Sequence, residues 1–397
     1  MLVHVEVSRD TDPRRASEEV SKSVREALNT GPIDLAFLFF TPHYAEEVEA
    51  ILKTVHEELA PRVLLGCMGQ GVIGKTEEFE ELPVVTLWAA TLPNVELVPF
   101  HLTFNEENKE GDQLRGWPDQ WTQGDVPPTV ILLADPFSSP VEELFAQMDR
   151  RCPGAPAIGG IASGGQDAGE NRIIFNREVV YGGVVGVAIS GAVSIQTVVS
   201  QGCKPIGDRY VVTKAERNIV YELGGMPTLE RLQATLDLLG SEGGRKAALA
   251  LQLGVAFNEH QENFDRGDFL IRGLIGADQN SGGVAVSDII KEGQTVQFHL
   301  RDANAASEEL NLLLSKSRVN FASDTPQGAL LFSCNGRGRN FFNQPHHDIE
   351  TVLNKTGEVP VAGFFAGGEI GPVGGQNFIH GYTASVAIFS EPGRSSS

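Results

Sequence analysis

The chain has 397 residues, 41% of them hydrophobic and 44 of them glycine, which fits a well-packed, turn-rich protein of two or three domains and excludes a disordered one. Its 31 basic and 52 acidic residues leave a net charge of −21, the wrong sign for binding nucleic acid or an anionic membrane surface. Four cysteines (Cys67, Cys152, Cys203, Cys334) stand far apart with no C-x-x-C pair, which argues against structural zinc and disulfides and suits a reducing cytosol.

The opening "MLVHVEVSRDTDPRRASEEV" has no apolar h-region, so no secretory signal is expected. Next, "IDLAFLFF" leads through "TPHYAEEVEAILKTVHEEL" to "PRVLLG": an apolar strand, a polar loop, a helix and a second strand. Val48, Ile51, Leu52, Val55 and Leu59 follow helical spacing. "EEFEELP" reads as a solvated loop, and "PVVTLWAATLPNVELVPFHL" as further strands. Trp117 and Trp121 are expected to anchor a long surface loop, with a protein-binding patch as the alternative.

The unit recurs. "TVILLADPFSSPVEELFAQMDRRC" leads to "PGAPAIGG", and "GALLFSCNGRGRNFFNQPHHDIETVLNKT" to "GEVPVAGFF". Between them Val179 to Cys203 is uncharged, yet Gly- and Ser-rich and alternating, so a buried β-hairpin turning near Gly191 is expected, not a membrane span. "ERNIVYEL" reads as a helix ended by Gly224-Gly225, with Thr228 capping the next. Phe269 to Asp288 reads as two strands joined by a Gly-rich turn, and Arg272 is a candidate to face a ligand cleft. The expected fold is α/β: two related halves with mixed β-sheets built from strand–helix–strand units, helices on the outer faces. The boundary is placed near Gly207, giving domains 1–206 and 207–390 and a disordered tail at 391–397.

The stretch "GQGVIGKT" spells two nucleotide motifs, a P-loop from Gly69 to Thr76 and G-x-G-x-x-G through Gly69, Gly71 and Gly74. Both need a helix directly after the loop, its N-terminus facing phosphate. Here Pro83 and another strand follow within a few residues. "GCMGQGVIGK" also aligns with "GFFAGGEIGP": Gly66 falls on Gly363, Gly71 on Gly368, and Lys75 on Pro372. The glycine turn is therefore a repeated structural device, and an NTPase is disfavoured despite the Walker-B-like run into Asp135.

"GALLFSCNGRGRNFF", "VPVAGFFAGGEIGPVGG" and "HGYTASVAIF" resemble the C-terminal half of the FIST family; "LLGCMGQGVIG", "AIGGIASGG" and "SQGCKPIG" resemble its N-terminal half. The resemblance runs from about Ile33 to Phe389. It implies a non-enzymatic intracellular sensory module for a small ligand, an amino acid being the suggested class, without cofactor. FIST modules occur alone, fused to bacterial signalling domains, or fused to an F-box. With no room for an output domain here, a downstream protein partner is expected, in the cytoplasm, with no role for nucleic acid or membrane.

The glycine turns are expected to converge at the C-terminal ends of the strands, where open α/β sheets hold ligands. The ligand-binding candidates are Gly66, Cys67, Gly69, Gly71, Gly159, Gly160, Ser163, Cys334, Asn335, Gly336, Arg337, Arg339, Gly363, Gly368 and Glu369. Arg337 and Arg339 are matched to a carboxylate and Glu369 to an ammonium, a pair suited to a zwitterion. The plainer alternative has Arg and Glu bracing the turns together. Val72 stands where the third unit has Glu369, so the N-terminal half would not bind the same group. An enzymatic alternative is a hydrolase or acyl transferase using Cys334, with His346, His347 or His380 as partner. His346 and His347, read as exposed at a helix start, are adjacent and point apart, so no metal site is expected.

Overall fold

The computed structural model describes residues 1–28, 31–104, 113–121, 126–239, 250–259, 264, 266–320 and 324–392. The fold is α/β with mixed sheets. It divides into two compact units: Met1–Ser200 with Leu310–Ser397, and Gln201–Glu309. The expected 207–390 domain is therefore not one compact body. Strands Pro326–Cys334, Val361–Ala366 and Ala384–Ser390 share one sheet with Ser194–Ser200 and Gly71–Gly74, which ties the chain's end to its first 200 residues.

The larger unit is built three times over. Each repeat has a parallel strand pair connected through a helix: Leu35–Phe40 with Val63–Met68, Thr129–Ala134 with Ala157–Ile161, and Pro326–Cys334 with Val361–Ala366. Each pair is flanked by an antiparallel strand of its own repeat, Val85–Thr91, Val184–Gly191 and Ala384–Ser390 respectively. After its glycine turn each repeat sends a hairpin to a neighbouring sheet. Gly71–Gly74 pairs with Val361–Ala366, Glu369–Val373 with Ala157–Ile161, and Ile173–Phe175 with Val63–Met68. The exchange closes a cycle of three sheets, so no repeat is complete alone.

The cycle explains the central core. Phe37 and Phe39 from the first sheet, Ile131 and Leu133 from the second, and Phe332 and Phe364 from the third form one buried cluster. The Phe39 ring lies 5.3 Å from Phe364 and 6.5 Å from Phe332. Each such side chain contributes about 1.5–3 kcal/mol by burial. The opposite faces are covered by helices: Pro13–Ala27 and Val48–Leu59 on the first sheet, Val141–Arg151 on the second, and His347–Thr356, with Leu310 and Leu314, on the third. Val48, Ile51, Leu52, Val55 and Leu59 are all buried, as their spacing predicts.

The glycines that open the turns are set by close backbone approach. Gly66, Gly159 and Gly363 pair in register with Leu38, Leu132 and Leu331. A Cβ at these three positions would lie 2.1, 1.8 and 1.7 Å from the facing carbonyl oxygen, closer than any side chain tolerates.

The smaller unit is an antiparallel barrel. Strands Cys203–Glu216, Thr295–Arg301, Leu251–Ala256, Phe269–Asp278, Gly283–Val286 and Ile219–Leu223 pair in that order, and the last pairs back to the first. Its interior holds Val220, Leu253, Val286 and Phe298.

Several expectations change. Val184–Gly191 and Ser194–Ser200 are both strands, but they belong to different sheets and do not form a hairpin. "ERNIVYEL" is strand and turn, not helix: β-branched Ile219 and Val220 extend into the barrel, and Gly224-Gly225 form a left-handed turn. Thr228 is the first residue of helix Thr228–Asp237 and Pro227 stands at its cap. "EEFEELP" contains strand Glu77–Glu80, with Glu78 buried. In the tail, Glu391 pairs with the N-terminal ammonium, and 393–397 lies outside the described residues. Trp121 is buried and Trp117 half-buried, packed 5.4 Å apart in the second repeat's outer core. Among the described residues no helix is long and apolar enough to cross a membrane.

Candidate functional site at the third glycine turn

The glycine turns of all three repeats meet. The Ser163 amide donates to Met68 O (3.2 Å), and Ser163 Oγ accepts from Gln70 N (2.9 Å) and donates to Phe365 O. Gly367 N donates to Ile161 O (2.9 Å) and Asn335 N to Ala366 O (2.9 Å). Gln70, Asn335 and Gly367 are exposed, so this vertex opens to solvent.

The repeats can be compared position by position. Thr41 and Asp135 directly follow the first strand and Cys334 ends it, at equivalent positions, and their N–H groups donate to Val84 O, Gly183 O and Thr383 O at 3.1, 3.0 and 3.0 Å. Three residues on stand Tyr44, Ser138 and Arg337. On the exchanged hairpins, Val72, Ile173 and Glu369 face Phe364, Cys67 and Gly160. On their return strands Glu78, Val179 and Ile379 are equivalent. Among these positions charge stands at Arg337, Glu369 and Glu78 around the third turn, and at the buried Asp135 in the second repeat.

The charge around the third turn forms a buried network. Arg337, with its side chain fully enclosed, grips Asp348 through Nε (2.6 Å) and Nη2 (2.8 Å), and its Nη1 donates to Tyr382 O (3.3 Å). Asp348 also accepts from Ser333 Oγ (2.7 Å) and is bonded to His347 Nδ1 (2.9 Å). Burial alone would raise the Asp348 pKa, but the Arg337 guanidinium holds it well below the usual carboxylate range. Glu78 crosses from the first repeat to accept the Asp348 and Ile349 N–H groups (both 2.9 Å), closing the N-terminus of helix His347–Thr356. Burial, and then the Asp348 charge, push Glu78 up to about 8 against those two hydrogen bonds.

Glu369 is fully buried. Its Oε2 accepts from Thr383 N (3.0 Å), while Oε1 accepts no hydrogen bond. Burial raises it well above the ordinary carboxyl value; Thr383 N–H and then the nearby Cys334 thiol pull partly the other way, although the thiol does not reach Oε1 in hydrogen-bond geometry. Cys334 itself is pushed up to about 12 by burial and then by the Glu369 charge, the opposite of an activated nucleophile. His380 Nε2 is bonded to Gly371 O (3.0 Å), and His347 is engaged by Asp348.

The nominated residues divide accordingly. Ser163, Cys334, Asn335, Gly336, Gly368 and Glu369 gather at the vertex. Gly66, Gly159 and Gly363 are packed under their neighbouring strands, Gly69 and Gly160 against Phe364, and Gly71 against Phe365, while Cys67 lies in the central core. The open fork expected at Arg337 is closed by Asp348, so neither a free carboxylate receptor nor an Arg–Glu brace stands there. Arg339 is exposed and pairs with Glu81 (3.3 Å). His347 is buried, not exposed, and stacks 3.5 Å from Phe342. Arg272 lies in the barrel, paired with Asp288. Among the described residues no cluster of three His, Cys, Asp or Glu side chains is placed to hold a metal ion.

Sequence reasoning missed Glu78 and Asp348. The alternation in "EEFE", which places Glu78 opposite Ile73 in the hairpin, was the available signal. Lys75, the P-loop lysine, sits at the first turn residue of that hairpin with φ 58°, matching Asn176 (53°) and Gly374 (59°). It pairs with Glu6 at an open cleft of about 990 Å³ whose walls carry Glu77, Glu350 and Glu358, a poor lining for polyphosphate. A second cleft of about 780 Å³ is lined by His101, Phe137, Ser138 and Tyr181. Neither contains Cys334 or Glu369.

Comparison with known proteins gives two family matches, the FIST N domain over residues 34–226 and the FIST C domain over 229–372. An uncharacterized protein of Mycobacterium tuberculosis is 39% identical, covering 98% of this chain and 100% of its own. One of Mycobacterium bovis is 36% identical, covering 98% and 99%. Among solved structures, a cyanuric acid hydrolase chain, described under the words "evolutionary innovation by structural concatenation", aligns over 99% of this chain and 100% of its own, at 11% identity and a TM-score of 0.30. That likeness bears on neither activity nor substrate.

Proposed function

The chain belongs to the FIST family, whose domains are sensory domains, and from that premise we propose that it is a small-ligand sensor that signals through a partner protein in the cytosol. One observation carries the placement of the ligand: a fully buried carboxyl, Glu369, keeps one oxygen without a donor beside the solvent-facing glycine vertex. A buried acceptor left open costs about 1–3 kcal/mol, and a ligand donor arriving there recovers it. Asn335 and Gly367, exposed within two residues of Cys334 and Glu369, are the approach. The ligand is a small polar metabolite that presents an amino group, amino acids among the candidates.

The thiol-enzyme reading is weaker, because a thiol held near 12 supplies almost no thiolate at neutral pH. The NTPase reading is weaker still, because strand Glu77–Glu80 stands where a phosphate-binding helix is needed.

Thermal unfolding against amino acids, amines, small carboxylates, ATP, GTP and dinucleotides tests the proposal. A ligand at ~100 times its dissociation constant adds about 2.7 kcal/mol, which moves the melt visibly. A shift with an amino-bearing metabolite is expected; a Mg-dependent shift with ATP alone, or a flat panel, would contradict it.

A further inference from the structure

We propose that the group read at Glu369 is an ammonium, and that the ligand is an amine whose recognition requires no carboxylate. The inference rests on the small-ligand reading above and narrows its chemical class. It comes from comparing which charged groups around the third turn are already satisfied.

The arginines and the helix N-terminus there, the groups best suited to a ligand carboxylate, already hold internal ones. The Arg337 fork holds Asp348 through two hydrogen bonds of 2.6 and 2.8 Å. The first N–H groups of helix His347–Thr356 hold Glu78, and Arg339 holds Glu81 with its side chain and Glu80 with its backbone N–H. A zwitterion seeking Arg337 would have to break a buried ion pair, which strands a charge on each side. The unmet requirement has the opposite sign. Glu369 Oε1 has no hydrogen-bond partner and is enclosed by protein, and in the ionised form it is an acceptor.

An ammonium carries three donors and no acceptor, so it matches this vacancy without asking for an anion site. One N–H would reach Oε1, and the exposed Asn335 amide carries an oxygen for another. The chain's net charge of −21 draws cations toward the surface on the way in. Because burial favours the protonated carboxyl, an ammonium that binds the ionised form releases a proton to solvent wherever the free carboxyl holds one. Affinity then rises with pH as long as the amine itself stays protonated.

The test is calorimetric titration of the full chain with matched pairs that differ by one carboxylate: ethylamine against alanine, putrescine against ornithine, agmatine against arginine. At least one amine should bind as tightly as its amino acid or more tightly, and Glu369→Gln should weaken it about tenfold or more. An amino acid bound about tenfold more tightly than its amine would overturn the inference while leaving the small-ligand reading standing. Amine binding unchanged in Glu369→Gln would overturn it too. Should that variant fail to fold, the matched pairs on the unaltered chain decide alone. No binding by either class would remove the small-ligand reading and this inference with it.

Discussion

The first and third repeats share a backbone plan and differ in what they bury. At the end of the first strand pair stand Thr41 and Tyr44, with Val72 on the exchanged hairpin; the third repeat has Cys334, Arg337 and Glu369 at the same places. Since Thr41, Tyr44 and Val72 suffice to build the turn, the fold does not require the charges. Burying an arginine and three carboxyls where neutral side chains would serve is costly, and such costs gather at functional sites. The comparison therefore separates two kinds of residue that a sequence motif merges: glycines that make the turn and ionisable groups that the turn itself does not need.

The largest effect that could break this comparison is at Asp348. Asp348→Ala leaves Arg337 buried without its partner and should cost about 3–5 kcal/mol in chemical denaturation. The double change Arg337→Met with Asp348→Leu should recover much of that; if it does not, the pair supports the fold itself.

Next come the glycines. Gly363→Ala, Gly159→Ala and Gly66→Ala should each cost about 3 kcal/mol or more, because each new Cβ meets a facing carbonyl oxygen. Similar costs in all three repeats are expected. A cost confined to the third would mean that the turn is specialised there as well.

The pH dependence sharpens the contrast further. Glu78 rises from its ordinary 4.5 to about 8 on folding. The stability this represents is fully present below the unfolded value and is lost as pH climbs through the folded one. Asp348 has the reverse sign: its contribution is present above the unfolded value and lost as pH falls toward its depressed folded one. Melting temperature should therefore decline from about pH 5 to pH 8 by a few degrees for each kcal/mol, and Glu78→Gln should flatten that decline. A Glu78→Gln profile parallel to that of the unaltered chain would contradict the assignment. The smallest effect belongs to Lys75. Lys75→Gly relieves a left-handed φ and should stabilise by about 1 kcal/mol, with no change toward ATP.

Much of the architecture was legible. Strand–helix–strand units appear in the sequence as apolar runs alternating with helical spacing, and the glycine alignment of Gly66 with Gly363 marks positions that the structure makes equivalent. The exchange of hairpins was not legible, because pairing between distant segments leaves no local period. For the same reason Ile219 and Val220 read as helix until the barrel claimed them. At the site, Cys334, Asn335 and Glu369 follow from the motif, whereas Asp348 and Glu78 become visible only once a helix and a hairpin from two repeats meet.

The central claim is that the third turn, and not its equivalents, receives the ligand. Hydrogen–deuterium exchange with and without saturating amine reads this directly, since the equivalent segments serve as internal controls in one experiment. Slowed exchange is expected at Asn335–Gly336, Gly367–Glu369 and Thr383, with Pro42–His43 and Pro136–Phe137 unchanged. Protection centred on the cleft of His101, Phe137 and Tyr181, with the third turn unaltered, would contradict the account.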